Sequence, residues 1–169
     1  MKPAMETVIW KRLEIVIPAA VLLLLVGLAA LAFTVTRTPG PRADPGNAAL
    51  VAKGEAIHER HCASCHGQRL EGQANWKVRL PNGRMPAPPH DTTGHTWHHP
   101  DDVLFGITKF GVTPPYGPPG YQSDMPAFDT KLSDAEIWAV LAYIKSRWPK
   151  NIHEWRAEAL GEKNRFGKQ

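Results

Sequence analysis

The chain has 169 residues, with 20 Lys/Arg, 16 Asp/Glu, 8 His, 2 Cys and a formal net charge of +4, enough for one domain with appendages and too little for two full cores. An apolar content of 43% with 21% charged residues excludes a fully disordered chain, and two cysteines exclude a disulfide-rich scaffold or a four-thiolate metal site. The basic excess sits in residues 1–42, five Lys/Arg against two Glu; from Ala43 onward the count is 15 against 14, which leaves no basic footprint for nucleic acid.

Residues 1–14 contain Lys2, Lys11 and Arg12. Residues 15–35 then read IVIPAAVLLLLVGLAALAFTV, twenty-one residues without a charge. At about 1.5 Å per residue this is roughly 31 Å of helix, close to the thickness of a hydrocarbon core. A cleaved signal peptide would use a small-residue site, for which Ala30-Leu31-Ala32 is available. The apolar run is longer than a signal peptide needs, and fourteen residues precede it, so an uncleaved transmembrane anchor is the favoured reading.

Residues 36–46, with three prolines and two glycines, form an extended, semi-stiff linker. Asn47 is an N-cap for a helix running to about His61, with Leu50, Val51, Gly54 and Ile57 on one stripe. Nine of the sixteen prolines fall between Pro81 and Pro119, so only one helix is expected there. It opens on Pro100, Asp101 and Asp102, turns Val103, Leu104 and Ile107 inward, and ends at Gly111. Ser133-Asp134-Ala135-Glu136 is a capping box for the clearest helix, which carries Ile137, Trp138, Val140, Leu141 and Ile144 to Arg147, with Pro149 as its stop. The C-terminal tail, residues 150–169, adds a short helix around Ile152 and Trp155. No repeat of 20–50 residues is present.

The chemistry lies in Cys62-Ala63-Ser64-Cys65-His66. Two thiols three positions apart, followed at once by an imidazole, suit covalent haem attachment: the sulfurs form thioethers with the vinyl groups and the histidine binds iron. A thioredoxin-like dithiol would need a βαβ setting, and no strand pattern precedes Cys62. A zinc site would need two further ligands from distant histidines.

The opposite face of the iron needs its own ligand, and Met85, Met125, His90, His95, His98 and His99 are the candidates. Met85-Pro86-Ala87 and Met125-Pro126-Ala127 share a local sequence. Met125 is preferred: it lies 59 residues after His66 and 8 before Ser133, so a loop can circle the haem before the final helix packs down. A thioether opposite an imidazole raises the reduction potential. The run His95-Thr96-Trp97-His98-His99 is read as loop and cap groups over the haem edge, with Trp97 on the macrocycle; a second copper or zinc site including His90 is the sharper alternative. Trp76 is read as pocket lining rather than an electron relay.

Residues 47–149 resemble a monohaem c-type cytochrome domain of the small histidine–methionine class. Gly54, eight positions before Cys62, matches a glycine that allows close helix crossing, and Val140, Tyr143 and Ile144 match the final-helix positions that cross it. Cys62, Cys65, His66 and Gly67 match the attachment motif, and Met125-Pro126 matches the distal loop. His58 departs from the pattern, standing where the family usually has Tyr or Phe. The resemblance implies an all-α fold clasping one covalent haem c, held by Cys62 and Cys65, with His66 and Met125 as the iron ligands. It also implies haem attachment outside the cytoplasmic membrane. On that basis residues 1–14 are cytoplasmic, 15–35 span the inner membrane, and the haem domain is periplasmic.

The expected function is one-electron transfer between redox partners of a bacterial respiratory or related chain (an oxidase, reductase or dehydrogenase), with no catalysis of its own. The alternatives are a haem enzyme or a gas or peroxide sensor with a labile distal ligand, and an electron-transfer subunit of a larger membrane complex docked through the tail. Residues 43–149 carry ten basic and eleven acidic groups, so no strong field selects the partner.

Overall fold

The computed structural model describes residues 17, 18, 21–28 and 43–161. The chain divides into two compact units, 1–40 and 41–169. In the first, residues 17, 18 and 21–28 are helical and exposed. The rest of the expected 15–35 span, residues 1–14 and most of the linker lie outside the described residues, as do residues 162–169. No helix among the described residues is long and apolar enough to cross a membrane.

The second unit is helical, and no strand occurs among its described residues. Its elements are α1 (Ala48–His61), a single turn α2 (Ala63–His66), a short 3-10 turn (Thr96–His98), α3 (Asp101–Phe110), α4 (Asp134–Ser146) and α5 (Lys150–Ala159). The all-α expectation for this unit matches what is observed.

The caps explain the boundaries. Asn47 Oδ1 accepts the Leu50 amide at 3.1 Å and starts α1. Glu136 Oε2 reaches back to accept the Ser133 amide at 2.9 Å and its hydroxyl at 2.8 Å, closing the capping box of α4. Pro100 caps α3, with Asp101 and Asp102 in the first turn where the helix dipole favours them, and Gly111 ends it at φ +80°. On α3 it is Leu104, Gly106 and Thr108 that are buried, while Val103 and Ile107 are half-buried.

The core is built around α4, whose residues 139–144 are all buried, and which packs mainly on α1 and α3. At the α1–α4 crossing Gly54 meets the backbone of Ala139 and the Cβ of Tyr143. Val140 and Ile144 join Ile57, Leu104, Phe128, Leu132 and Ile137 in the apolar centre, and the closest approach to Gly54 is made by Ala139.

The segment after Pro149 is α5, which buries Ile152 and Arg156 against the domain. Arg156 is completely buried and donates to the carbonyls of Trp97 at 2.6 Å and His99 at 2.8 Å, and to Asp101 Oδ1 at 2.8 Å. Asp101 Oδ2 also accepts from Lys145 Nζ at 2.5 Å. One carboxylate thus ties α3, α4 and α5 together. The short helix expected in the tail is thus fastened by a buried ion pair.

Candidate functional site

Cys62 closes α1, its amide donating to the His58 carbonyl, and its own carbonyl accepts the amides of Cys65 at 3.1 Å and His66 at 2.9 Å. That single turn, α2, presents Cys62, Cys65 and His66 together. Cys62 is half-buried and Cys65 exposed, while the His66 ring goes into the domain. Burial, reinforced by the neighbouring Cys65, pushes the Cys62 thiol up to about 11. A dithiol oxidoreductase needs the opposite shift, because its thiolate is the nucleophile.

His66 is oriented by a loop 22 residues away. The His66 ring donates through Nδ1–H to the Pro88 carbonyl at 2.9 Å. In a neutral imidazole this leaves Nε2 without a proton, its lone pair free for a metal. Burial lowers the His66 pKa, against the Pro88 hydrogen bond, which raises it. The loop that delivers Pro88 is stitched to residues just after the motif. Gln73 and Ala87 exchange hydrogen bonds of 2.9 and 2.7 Å, and Gly72 donates to the His66 carbonyl at 2.8 Å. Gly72 has φ +67°, and a Cβ there would stand 2.5 Å from Pro89 N. Only glycine lets the two strands of this loop approach so closely.

Met125 lies elsewhere, half-buried in a loop that packs against the core. Past it, Phe128 donates to the carbonyls of Thr108 at 3.2 Å and Lys109 at 3.0 Å, and Asp129 to Lys109 at 3.0 Å. Carbonyls in the last turn of α3, left without helical partners, therefore anchor the methionine loop. Arg84 and Asp124, the residues immediately before Met85 and Met125, form an ion pair. The two Met-Pro-Ala segments, 40 positions apart, are drawn together by it, and Met85 is also half-buried.

The histidine-rich run folds into the 3-10 turn and its flanks. His90 meets it through Thr96, whose Oγ1 lies 2.7 Å from the His90 Nδ1. Its ring is stacked on His66, with centroids 4.0 Å apart and planes 19° from parallel. Burial, followed by the nearby His66, drives the His90 pKa well below its ordinary value, so that ring is neutral. His95 stacks on Trp76 at 5.4 Å and stands edge-on to His99. Trp97 stacks on His98 at 3.7 Å, and both meet Trp155 of α5. Trp97 Nε1 is buried without a hydrogen-bond partner. No three His, Cys, Asp or Glu side chains converge on a common point among the described residues.

His58 is fully buried against Tyr143, with ring centroids 5.3 Å apart, and neither ring nitrogen finds a partner. Desolvation brings its pKa down to about 4, and the nearby His66 acts in the same direction.

Sequence reasoning placed the attachment turn and missed the carbonyl of Pro88, the stacked His90 and the buried Arg156. The Pro88-Pro89-His90 run carries no local signal for the first two, since nothing within it says which ring it will face. The donor set fits a covalently held haem: two sulfurs and an imidazole on one turn, with the tautomer that frees Nε2.

The family described as "Cytochrome C oxidase, cbb3-type, subunit III" matches residues 49–144. No curated protein and no solved structure matches the chain.

Proposed function

The chain belongs to that family, its residues 49–144 forming a c-type cytochrome domain, and from this we propose that the protein carries single electrons through one covalent haem c. Cys62 and Cys65 would hold the haem, and His66 and Met125 would bind its iron. When bound, the haem supplies a one-electron ferrous–ferric couple. The chain's own contribution is orientation and exclusion of water. The Pro88 carbonyl holds the His66 proton on Nδ1, which leaves the Nε2 lone pair available as a ligand. The end of α3 anchors the loop that offers the Met125 thioether. Met125 packs against the apolar centre around α4, and apolar surroundings on that side would favour a high potential.

The observation that carries this reading is the His66 Nδ1–Pro88 hydrogen bond beside two cysteines on the same turn. It is tested by haem staining after denaturing electrophoresis. The wild-type band retains haem, and Cys62→Ala/Cys65→Ala loses it. A c-type spectrum in the double variant would sink the assignment.

The proposal extends to location: an inner-membrane anchor at residues 15–35 with the haem domain on the periplasmic side. The leucine-rich helical residues 21–28, each about half exposed or more, support it, because such a surface suits lipid better than water. Membrane fractionation and protease accessibility in spheroplasts check it; release of the haem domain without protease speaks against it. The partners would be an oxidase, a reductase or a dehydrogenase. The family description of an oxidase subunit favours one specific form, a subunit of a larger membrane complex. Stable co-purification from mild detergent supports that form, and elution as a free carrier opposes it.

A further inference from the structure

The Pro88 carbonyl holds His66 at one atom. A single hydrogen bond tolerates a broad range of angles, so the ring can still swing about the Nδ1···O line. The face of the ring is held by something else. His90 lies flat against it, with centroids 4.0 Å apart and an interplanar angle of 19°.

His90 is itself held by its backbone and by its ring edge. The His90 amide donates to the Leu70 carbonyl at 2.8 Å, and its carbonyl accepts from Trp148 Nε1 at 2.8 Å. The ring Nδ1 pairs with Thr96 Oγ1 at 2.7 Å. Thr96 is buried, and its hydroxyl also reaches the Pro89 carbonyl at 3.4 Å. A filler such as leucine would occupy the same space, but it has no edge to pin and no plane to impose. The Thr96 contact holds one edge of His90, and the stack holds the His66 and His90 planes within 19° of each other.

We propose that His90 is a positioning residue for the proximal imidazole: pinned by Thr96 and stacked on His66, it fixes the ring plane in which His66 presents Nε2. This rests on the reading of His66 as a haem ligand. The plane of an axial imidazole governs how unpaired spin is distributed over a ferric porphyrin, so the haem-methyl proton shifts report it directly.

The experiment records those shifts in the full-length ferric holoprotein, together with thermal stability, for wild type, His90→Ala, His90→Phe and Thr96→Val. All four are expected to retain covalent haem. In His90→Ala the shift pattern moves and the lines broaden, as the ring gains freedom. His90→Phe keeps a flat face and restores a pattern close to wild type. Thr96→Val, which leaves the imidazole in place but unpins it, moves the pattern by a smaller amount. An unchanged pattern in His90→Ala with only a lower melting temperature would make His90 mere packing and overturn the proposal. Should His90→Ala fail to accumulate, an unchanged pattern in Thr96→Val overturns it equally. A wild-type protein without covalent haem removes the proposal together with the reading beneath it, and that result is distinct from a haem protein whose pattern does not move.

Discussion

Gly54 of α1 lies directly on the Ala139 carbonyl of α4: a Cβ built at position 54 would stand 1.9 Å from that oxygen and 2.9 Å from the Tyr143 Cβ. The obstacle is helix backbone, which cannot swing aside. Gly54→Ala must therefore push α1 off α4, and the turn that holds the cysteines moves with it. A loss of about 3 kcal/mol is expected, the upper end of ordinary overpacking. Gly46→Ala, whose new methyl would meet its nearest atom at 3.4 Å, is expected to cost under about 1 kcal/mol. Guanidinium denaturation of the two variants compares them.

His58 predicts a dependence of stability on pH. Its pKa falls from 6.5 in the unfolded chain to about 4 in the fold, chiefly through burial. Between those values the unfolded state binds more protons, so stability is full above pH 6.5 and declines as the pH falls towards 4. This one group accounts for about 3 kcal/mol at most across that window. In His58→Phe that share of the slope disappears. The variant is also more stable at neutral pH by roughly 1–3 kcal/mol, because two buried nitrogens without partners are removed. Urea melts from pH 4 to 8 test both effects.

Arg156 is expected to matter more than its place near the end of the described chain suggests. Its guanidinium is buried and satisfies two carbonyls and Asp101. Arg156→Ala leaves these acceptors buried and short of a donor, and a loss of about 3–5 kcal/mol follows. The exposed pair Lys150–Glu154 provides the contrast: Glu154→Ala should change stability by less than about 1 kcal/mol. Protease trimming of α5 should be rapid in Arg156→Ala and slow in the wild type.

The two methionines separate by spectrum. Met125→Leu is expected to lose the weak red-edge charge-transfer band of methionine-ligated ferric haem and to lower the reduction potential. Met85→Leu is expected to keep both. The reverse result would transfer the distal role to Met85, which the Arg84–Asp124 pair brings alongside.

Much of the local structure was legible in the chain. Asn47, Ser133 with Glu136, and Gly111 marked helix ends because capping bonds span only a few residues. The attachment turn was legible for the same reason, since Cys62, Cys65 and His66 are fixed on one turn by α-helical spacing. The Gly54–Tyr143 contact also matched expectation, although Ala139 rather than Val140 or Ile144 takes the closest place.

The sequence by itself thus determined the helical class, the helix boundaries and the residues of the attachment turn, all features set by hydrogen bonds and periodicity within about four positions. Tertiary structure alone decided which carbonyl orients His66, which ring stacks on it and which cation closes the C-terminal helix. The partners are 22, 24 and 55 positions apart, as with Pro88, His90 and the Asp101–Arg156 pair. No local pattern encodes such pairs. A proline-rich loop and a polar tail carry the same composition whether they are solvated or buried, and only closure of the chain around α4 selects the second.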